Sequence, residues 1–381
     1  MSNKVYIVGI GMHKFGRTPQ SSGLMQARHA VLLALKDAGI RWKDIQFAFG
    51  GSQDAGNADS LLSQLGATGI PFINVKNGCA TGGSCLLSAV NAIQSGMGEI
   101  GLVVGFDKHE HGAFRVNLAE WGLQPWYGEL GFALTTQFFA MKINRYMHDY
   151  GITDEALLQV AQKAFHNGSM NPMAWRQEAI NRQTIIESAM LNYPLRKYMF
   201  CSPAEGAVAL IVCNEKKLRQ LGRSRAITIL GCTLKSRREG TFEVFSAATP
   251  AMNTASVTED ASTACYVQAG VLPSDINLAQ LQDTESGAEI MHMAETGLCQ
   301  HGEQEMLLQQ GHTKLSGKLP INTDGGCLAN GEPVGASGLR QIYENVLQLR
   351  GEAQQRQVDK PKLALSQVYG APGISCVSIL E

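Results

Sequence analysis

The chain has 381 residues, 44% of them hydrophobic and 17% charged, with a formal net charge of −1. That length supports a large core in one duplicated domain or two domains, and the balanced charge excludes a nucleic-acid binder driven by basic patches. No apolar run is long enough to span a bilayer, and nine cysteines without metal-like CxxC pairs suit a reducing cytoplasm better than a disulfide framework.

In chain order, an opening strand (Val5 to Met12) leads to the end of an amphipathic helix, Ala34-Leu35-Lys36-Asp37-Ala38-Gly39-Ile40. A glycine stop, a short loop with Asp44-Ile45 and a strand through Ala48 follow. An extended stretch from Pro71 to Val75 then meets the turn Asn77-Gly78-Cys79-Ala80-Thr81-Gly82-Gly83, ahead of a helix-like run from Ser84 to Ile93. A thiol at a strand-to-helix turn lies near unpaired N–H groups and the positive end of the helix dipole, which favours thiolate. The flanking glycines admit close approach, so Cys79 reads as a nucleophile for acyl transfer.

Residues 107–200 read as a long insertion holding Trp121, Trp126 and Trp175 and a helix from Thr153 to Asn167. It suits a roof over a substrate pocket, or a peripheral subdomain with its own small core. His109 and His111 flank Glu110 within it, but no third ligand stands at metal-site spacing. His166 and His292 read as ordinary polar positions on helices. After a buried strand at Gly206 to Val212, the pattern returns. Cys265-Tyr266-Val267-Gln268-Ala269-Gly270-Val271, Asp275-Ile276 and Ala279 repeat the first helix end at a constant offset. Ile321-Asn322 with Gly326-Cys327 repeats Ile73-Asn74 with Gly78-Cys79, and Gly373 to Ile379 repeats Gly206 to Val212. Three matches in the same order imply two copies of one α/β unit, with the boundary near 215–250.

These residues carry a resemblance. The opening strand, the Cys79 turn, Leu102 to Phe106, Tyr150-Gly151-Ile152-Thr153, His166-Asn167, Asn171-Pro172, Pro194-Leu195, Asn322 to Gly326 and Gly331 to Gly338 together resemble the thiolase superfamily over essentially the whole chain. Within it they resemble the sterol-carrier-protein-type (lipid-transfer) branch. The resemblance implies a five-layered αβαβα fold of two similar halves. The N-terminal half takes 1–106 and 201–230, the inserted loop domain 107–200, and the C-terminal half 231–381. It also implies a homodimer that uses coenzyme A as substrate or product, with no tightly bound cofactor. A small zinc-ribbon/OB-fold partner protein is expected on the same ground.

The catalytic set departs from the family. Its Gly-His-Pro motif reads Gly331-Glu332-Pro333, so Glu332 stands where a base histidine is expected. Its second histidine segment reads Gln282-Asp283-Thr284-Glu285-Ser286, so Gln282 replaces a histidine. The second acid/base cysteine of the family falls at Thr284 or near Gln367, and Cys376 in the last strand reads as packing. Gln282 can donate a hydrogen bond to an oxyanion. Glu332 can serve as a base if burial raises its pKa, although as an anion it opposes a Cys79 thiolate. Asp283 and Glu285 add carboxylates that can share a proton, and Asp283 reads equally as a helix cap. Tyr369 reads as a proton donor near the reacting carbon or as packing. Gly335, Ala336 and Ser337 of the glycine-rich loop are the expected coenzyme A contacts. Three functions stay open: an acyltransferase working through acyl-Cys79, a retro-aldol lyase on a CoA thioester, and a non-catalytic acyl-CoA or lipid binder.

Overall fold

The computed structural model describes residues 4–381 apart from 115, 223, 242 and 244–253. Its first part runs β1 (Val5–Gly16), α1 (Gly23–Ala38), β2 (Phe47–Gly51), α2 (Leu62–Leu65), β3 (Phe72–Asn74), α3 (Thr81–Gln94) and β4 (Ile100–Lys108). The inserted segment holds α4 (Trp126–Glu129), α5 (Thr135–Tyr150), α6 (Asp154–Ser169), α7 (Arg182–Glu187), β5 (Met190–Asn192) and β6 (Leu195–Arg196). There follow β7 (Glu205–Asn214), α8 (Glu215–Leu221) and β8 (Ile227–Ser236), so the boundary expected at 230 falls inside β8. The last part comprises α9 (Val257–Ala269), β9 (Leu278–Leu281), α10 (Ser286–Glu295), α11 (Gln304–Gln309), α12 (Gly326–Asn330), α13 (Val334–Arg350), β10 (Ala364–Gly370) and β11 (Ile374–Leu380).

The repeat has a local physical cause. Ser22 caps α1 by accepting from the Met25 N–H, and Ser256 caps α9 by accepting from the Glu259 N–H. Each helix ends on a glycine in the left-handed region, Gly39 at φ 65° and Gly270 at φ 69°, which a side chain rarely adopts. A 3₁₀ turn follows in both copies and is closed by an aspartate: Asp44 accepts from the Arg41 N–H and Asp275 from the Leu272 N–H. The chain then enters β2 or β9.

The strands form one nine-stranded sheet in the order β3-β2-β4-β7-β1-β8-β11-β10-β9. Its two halves meet where Val5 to Ile7 of β1 pairs antiparallel with Ile227 to Ile229 of β8. Helix α1 covers the outer face of the first half and α9 that of the second, while α3 and α13 pack together between them. The layers are therefore αβαβα, each interface with its own apolar core. Val8, Ala34 and Phe106 fill the outer core of the first half, Leu86, Leu339 and Val368 the central core, and Cys265, Leu281 and Val377 the outer core of the second half. Helix α1 lies so close to β1 that a Cβ on Gly11 would stand 2.2 Å from the Ala30 carbonyl oxygen.

The inserted segment shares its core with the second half. Phe139, Leu157 and Met199 pack with Ile290 and Met291 of α10, Leu328 of α12 and Tyr369 of β10. A buried Lys163–Glu289 ion pair also ties α6 to α10. This is a roof continuous with the layers beneath it rather than a separate subdomain. Among the described residues no helix is long and apolar enough to cross a membrane.

Candidate active site

The turn between β3 and α3 presents Cys79. The Asn77 N–H donates to Thr81 Oγ1 at 2.9 Å, the Asn77 side chain donates to Ser84 Oγ at 2.9 Å, and the Thr81 N–H returns to the Gly78 carbonyl. Gly78 sits at φ 55° with the Ala371 carbonyl 2.9 Å from where a Cβ would be, so only glycine fits under the β10–β11 hairpin. Ala80 is fully buried while Cys79 remains partly exposed.

Glu332 is fully buried and faces this thiol. Its backbone is stitched to the segment before β7: the Glu332 N–H donates to the Ser202 carbonyl at 2.9 Å, and the Ala204 N–H donates to the Glu332 carbonyl at 3.4 Å. Its side chain is held at both oxygens. The Gln282 amide donates to Oε1 at 2.6 Å and the Cys201 thiol to Oε2 at 3.0 Å. Removal from water, then the charge and hydrogen bonding of Glu332, push the Cys79 thiol well above its ordinary range. The expected thiolate at the helix start is therefore corrected: burial, and then the carboxylate alongside, outweigh the dipole and favour the thiol form of Cys79.

Gln282 is brought to the site, but its amide nitrogen is committed to Glu332 and, at 3.3 Å, to Thr284 Oγ1. It orients the carboxylate rather than facing an oxyanion. Gln367, at one of the positions where the family carries a second cysteine, fixes Gln282 by accepting from its N–H at 3.1 Å. Asp283 caps α12 by accepting from the Cys327 N–H at 2.6 Å and the Leu328 N–H at 3.3 Å. Burial, against the opposing charge of Arg340, pushes its carboxyl up to about 8. Glu285 caps α10 through the Gly287 N–H, and burial pushes it up to about 8 as well. The two carboxylates thus serve different helices.

Gly335, Ala336 and Ser337 are fully buried in the first turn of α13. A Cβ on Gly335 would stand 2.5 Å from the Phe106 carbonyl oxygen and 2.7 Å from that of Gly51. These residues offer coenzyme A no surface, and the expectation that they bind it is corrected: they pack helix against sheet. Asp107 and His109, at the end of β4, hold this turn. Asp107 accepts from the Gly335 N–H at 2.7 Å, and His109 accepts from the Val334 N–H at 3.1 Å through Nε2 while its Nδ1 bonds Asp54 at 2.7 Å. These two residues fix the backbone two and three positions after Glu332, and the sequence assigns them no role in the site.

Tyr369 lies at the end of β10, buried close to Cys79. Its hydroxyl donates to Glu243, whose carboxylate is 3.5 Å from Lys142 Nζ. The same ammonium stands 4.5 Å from the centre of the tyrosine ring. His292 bonds Glu295 at 2.7 Å beside them, so His292 belongs to this cluster rather than to an ordinary surface. Burial raises the Glu295 carboxyl, but the hydrogen bond and charge of His292 and the charge of Lys142 outweigh it and bring the group to about 2. Burial and then the charge of Glu243 push the Tyr369 hydroxyl well up, so it stays protonated. Lys142, Glu243 and the α10 pair His292 and Glu295 come from three separate stretches of chain and have no shared motif to reveal them. Cys201 escapes the sequence for the same reason.

Comparison with known proteins supports one assignment. Residues 243–381 match the family described as thiolase C-terminal domain-like. Benzoylsuccinyl-CoA thiolase subunit BbsB of Thauera aromatica is 30% identical over 97% of this chain and 95% of its own length. Sterol carrier protein 2 of Oryctolagus cuniculus is 31% identical over 99% of this chain and 72% of its own length. The solved Ltp2-ChsH2(DUF35) aldolase superposes with a TM-score of 0.85 at 24% identity, covering 99% of this chain and 97% of that one. Near-full-length similarity of this kind, on a duplicated αβαβα fold with a cysteine turn ahead of its central helix, leaves one conclusion: the chain belongs to the thiolase superfamily, in its sterol-carrier-protein-type branch.

Proposed function

We propose that the protein is a thiolase-type acyltransferase that works on acyl-CoA or 3-ketoacyl-CoA thioesters through an acyl-Cys79 intermediate, with Glu332 as its base and acid. The observation that carries this reading is the Glu332 carboxylate, fixed at both oxygens and set against a thiol that rests protonated. Such a thiol needs a partner to take its proton, and Glu332 is the group in place.

In the cleavage direction Glu332 accepts the Cys79 proton, and the thiolate adds to the C3 carbonyl carbon of a 3-ketoacyl-CoA. The tetrahedral alkoxide collapses, the C2–C3 bond breaks, and its electron pair forms an enolate at C2. That carbon takes the proton held by Glu332, leaving acyl-Cys79 and a shortened CoA thioester. A coenzyme A thiol then gives its proton to Glu332 and attacks the acyl carbonyl. It displaces the Cys79 thiolate, which recovers the proton. Coenzyme A is thus substrate and product. We further propose a homodimer and a small zinc-ribbon/OB-fold partner, the latter because relatives are described as a thiolase subunit and as an aldolase with a DUF35 component.

A second reading, retro-aldol cleavage of a CoA thioester without a covalent intermediate, draws on the buried Tyr369 hydroxyl with Glu243 and Lys142 behind it, beside Cys79. Intact-mass spectrometry after incubation with acyl-CoA and 3-ketoacyl-CoA mixtures, beside Cys79→Ala, separates the two. Adducts present on the native protein and absent from the variant support acyl transfer. C–C cleavage of a 3-hydroxyacyl-CoA that survives Cys79→Ala sinks it in favour of the lyase.

A further inference from the structure

We infer that Cys201 is a positioning residue for Glu332: its thiol, donated to Oε2, stabilises the carboxylate where it stands and opposes its taking the Cys79 proton. The inference rests on Glu332 being the group that takes that proton.

Cys201 is not placed to react. It is buried, and its segment is pinned on both sides. Its N–H donates to the Thr284 carbonyl at 2.8 Å, Phe200 pairs with Glu285, and the next residue accepts the Glu332 N–H. The side chain therefore points at Glu332 with little freedom, and its sulfur is 3.0 Å from Oε2. Burial and the charge of Glu332 keep the Cys201 proton on sulfur, so the group is a donor.

The consequence is thermodynamic. With Gln282 on Oε1 and Cys201 on Oε2, each carboxylate oxygen is stabilised by a donor while Glu332 is an anion. A proton arriving from Cys79 must occupy one of those oxygens and weaken the bond already there. Both donors thus oppose the transfer that makes the Cys79 thiolate and favour the transfer from Glu332 to a carbanion. Gln282 is a strong amide donor already fixed by Gln367; Cys201 is the weaker and adjustable one.

The test needs no substrate. Alkylation of Cys79 by iodoacetamide, located by peptide mapping, is followed from about pH 6 to about pH 9 in the native protein, Cys201→Ala, Cys201→Ser and Glu332→Gln. If Glu332 takes the Cys79 proton, the native profile has a pH-independent plateau from the thiolate–carboxylic acid pair, and Glu332→Gln replaces it with a simple rise with pH. In Cys201→Ala the plateau rises about fivefold, the worth of one weak donor to a charged acceptor. In Cys201→Ser, whose hydroxyl is a better donor, it stays level or falls. A plateau unmoved in Cys201→Ala, or raised equally by alanine and serine, overturns the inference while leaving Glu332 as the base. A native profile without a plateau, matched by Glu332→Gln, overturns both. Circular dichroism establishes that each variant is folded; if alanine is not tolerated, the serine variant decides alone, because a raised plateau there contradicts the inference.

Discussion

Asp283→Asn isolates the cap of α12 from the chemistry beside it. The carboxyl is fully buried and pushed up to about 8, against an ordinary value of 3.8. The folded chain therefore holds a proton up to about pH 8 that the unfolded chain releases near pH 4. Between those limits the folded state binds more protons, so this group's contribution to stability falls as pH rises, by about 1.4 kcal/mol for each pH unit. From pH 5 to pH 8 that amounts to about 4 kcal/mol as an upper bound. Asparagine keeps the shape and one acceptor but has no titration, and its NH₂ group must face the Cys327 or Leu328 N–H, at a cost of about 1–2 kcal/mol. The two proteins should be about equally stable at about pH 5, and the variant the more stable one at about pH 8. Glu285 titrates in both, and the Asp283 charge is only a minor part of what raises it, so its contribution nearly cancels. Urea-unfolding midpoints of the two proteins across this range measure the difference. A difference constant with pH would mean that Asp283 is ionised in the fold throughout, its two N–H bonds and Arg340 prevailing over burial. Acyl-adduct formation should persist in Asp283→Asn near pH 7, because the residue caps a helix and does not touch Cys79.

Two further outcomes follow from the packing and the buried cluster. Gly335→Ala places a Cβ 2.5 Å from the Phe106 carbonyl, so it should destabilise the protein by about 1–3 kcal/mol, read as a lower thermal midpoint. An unchanged midpoint with weakened binding of coenzyme A, measured by calorimetry, would restore Gly335 to the ligand. Tyr369→Phe leaves Glu243 without its hydroxyl donor but spares Cys79 and Glu332, so acyl-adduct yield should stay within about twofold of native while any 3-hydroxyacyl-CoA cleavage drops at least a hundredfold. Loss of adduct formation in that variant would place Tyr369 in the covalent pathway.

The duplicated architecture was readable because it rests on local signals. The glycine stops at Gly39 and Gly270, and the aspartates that close the next turn, act within a few residues of chain. The candidate site was readable only in part, since Cys79, Glu332 and Gln282 stand in motifs but their chemistry is set by partners distant in sequence. Cys201 meets Glu332 across 131 residues, and Tyr369 meets Glu243 across 126. Burial was equally hidden. The glycine-rich stretch after Glu332 reads as a ligand loop, but the Asp107 and His109 side chains draw it into the layer between two sheet halves. A helix dipole on its own would favour thiolate at Cys79; here burial and the charge of Glu332 push the thiol the other way.

The asymmetry between the two copies bears on the proposal that only one helix start is reactive. In the repeat, Gly78-Cys79 corresponds to Gly326-Cys327, and Asp283, just past β9, corresponds to Ser52, just past β2. Asp283 fills the seat at the start of α12 with its carboxyl group. Ser52 turns away, donating to the Gly56 carbonyl at 2.8 Å and accepting from the Ala55 N–H at 3.1 Å, and the N-cap residue of α3, Ala80, makes no side-chain capping bond. The seat that the second copy gives to a carboxyl group is left open in the first. Ser52→Asp should close it: a carboxylate at the start of α3 would add a like charge beside Cys79 and lift the thiol further. Acyl-adduct formation should then fall about tenfold for every 1.4 kcal/mol by which the added charge disfavours the thiolate. Ser52→Asn carries the same shape without the charge and should react at close to the native rate. If the two variants lose reactivity equally, the effect is steric, and the difference between the copies does not lie in the charge at this position.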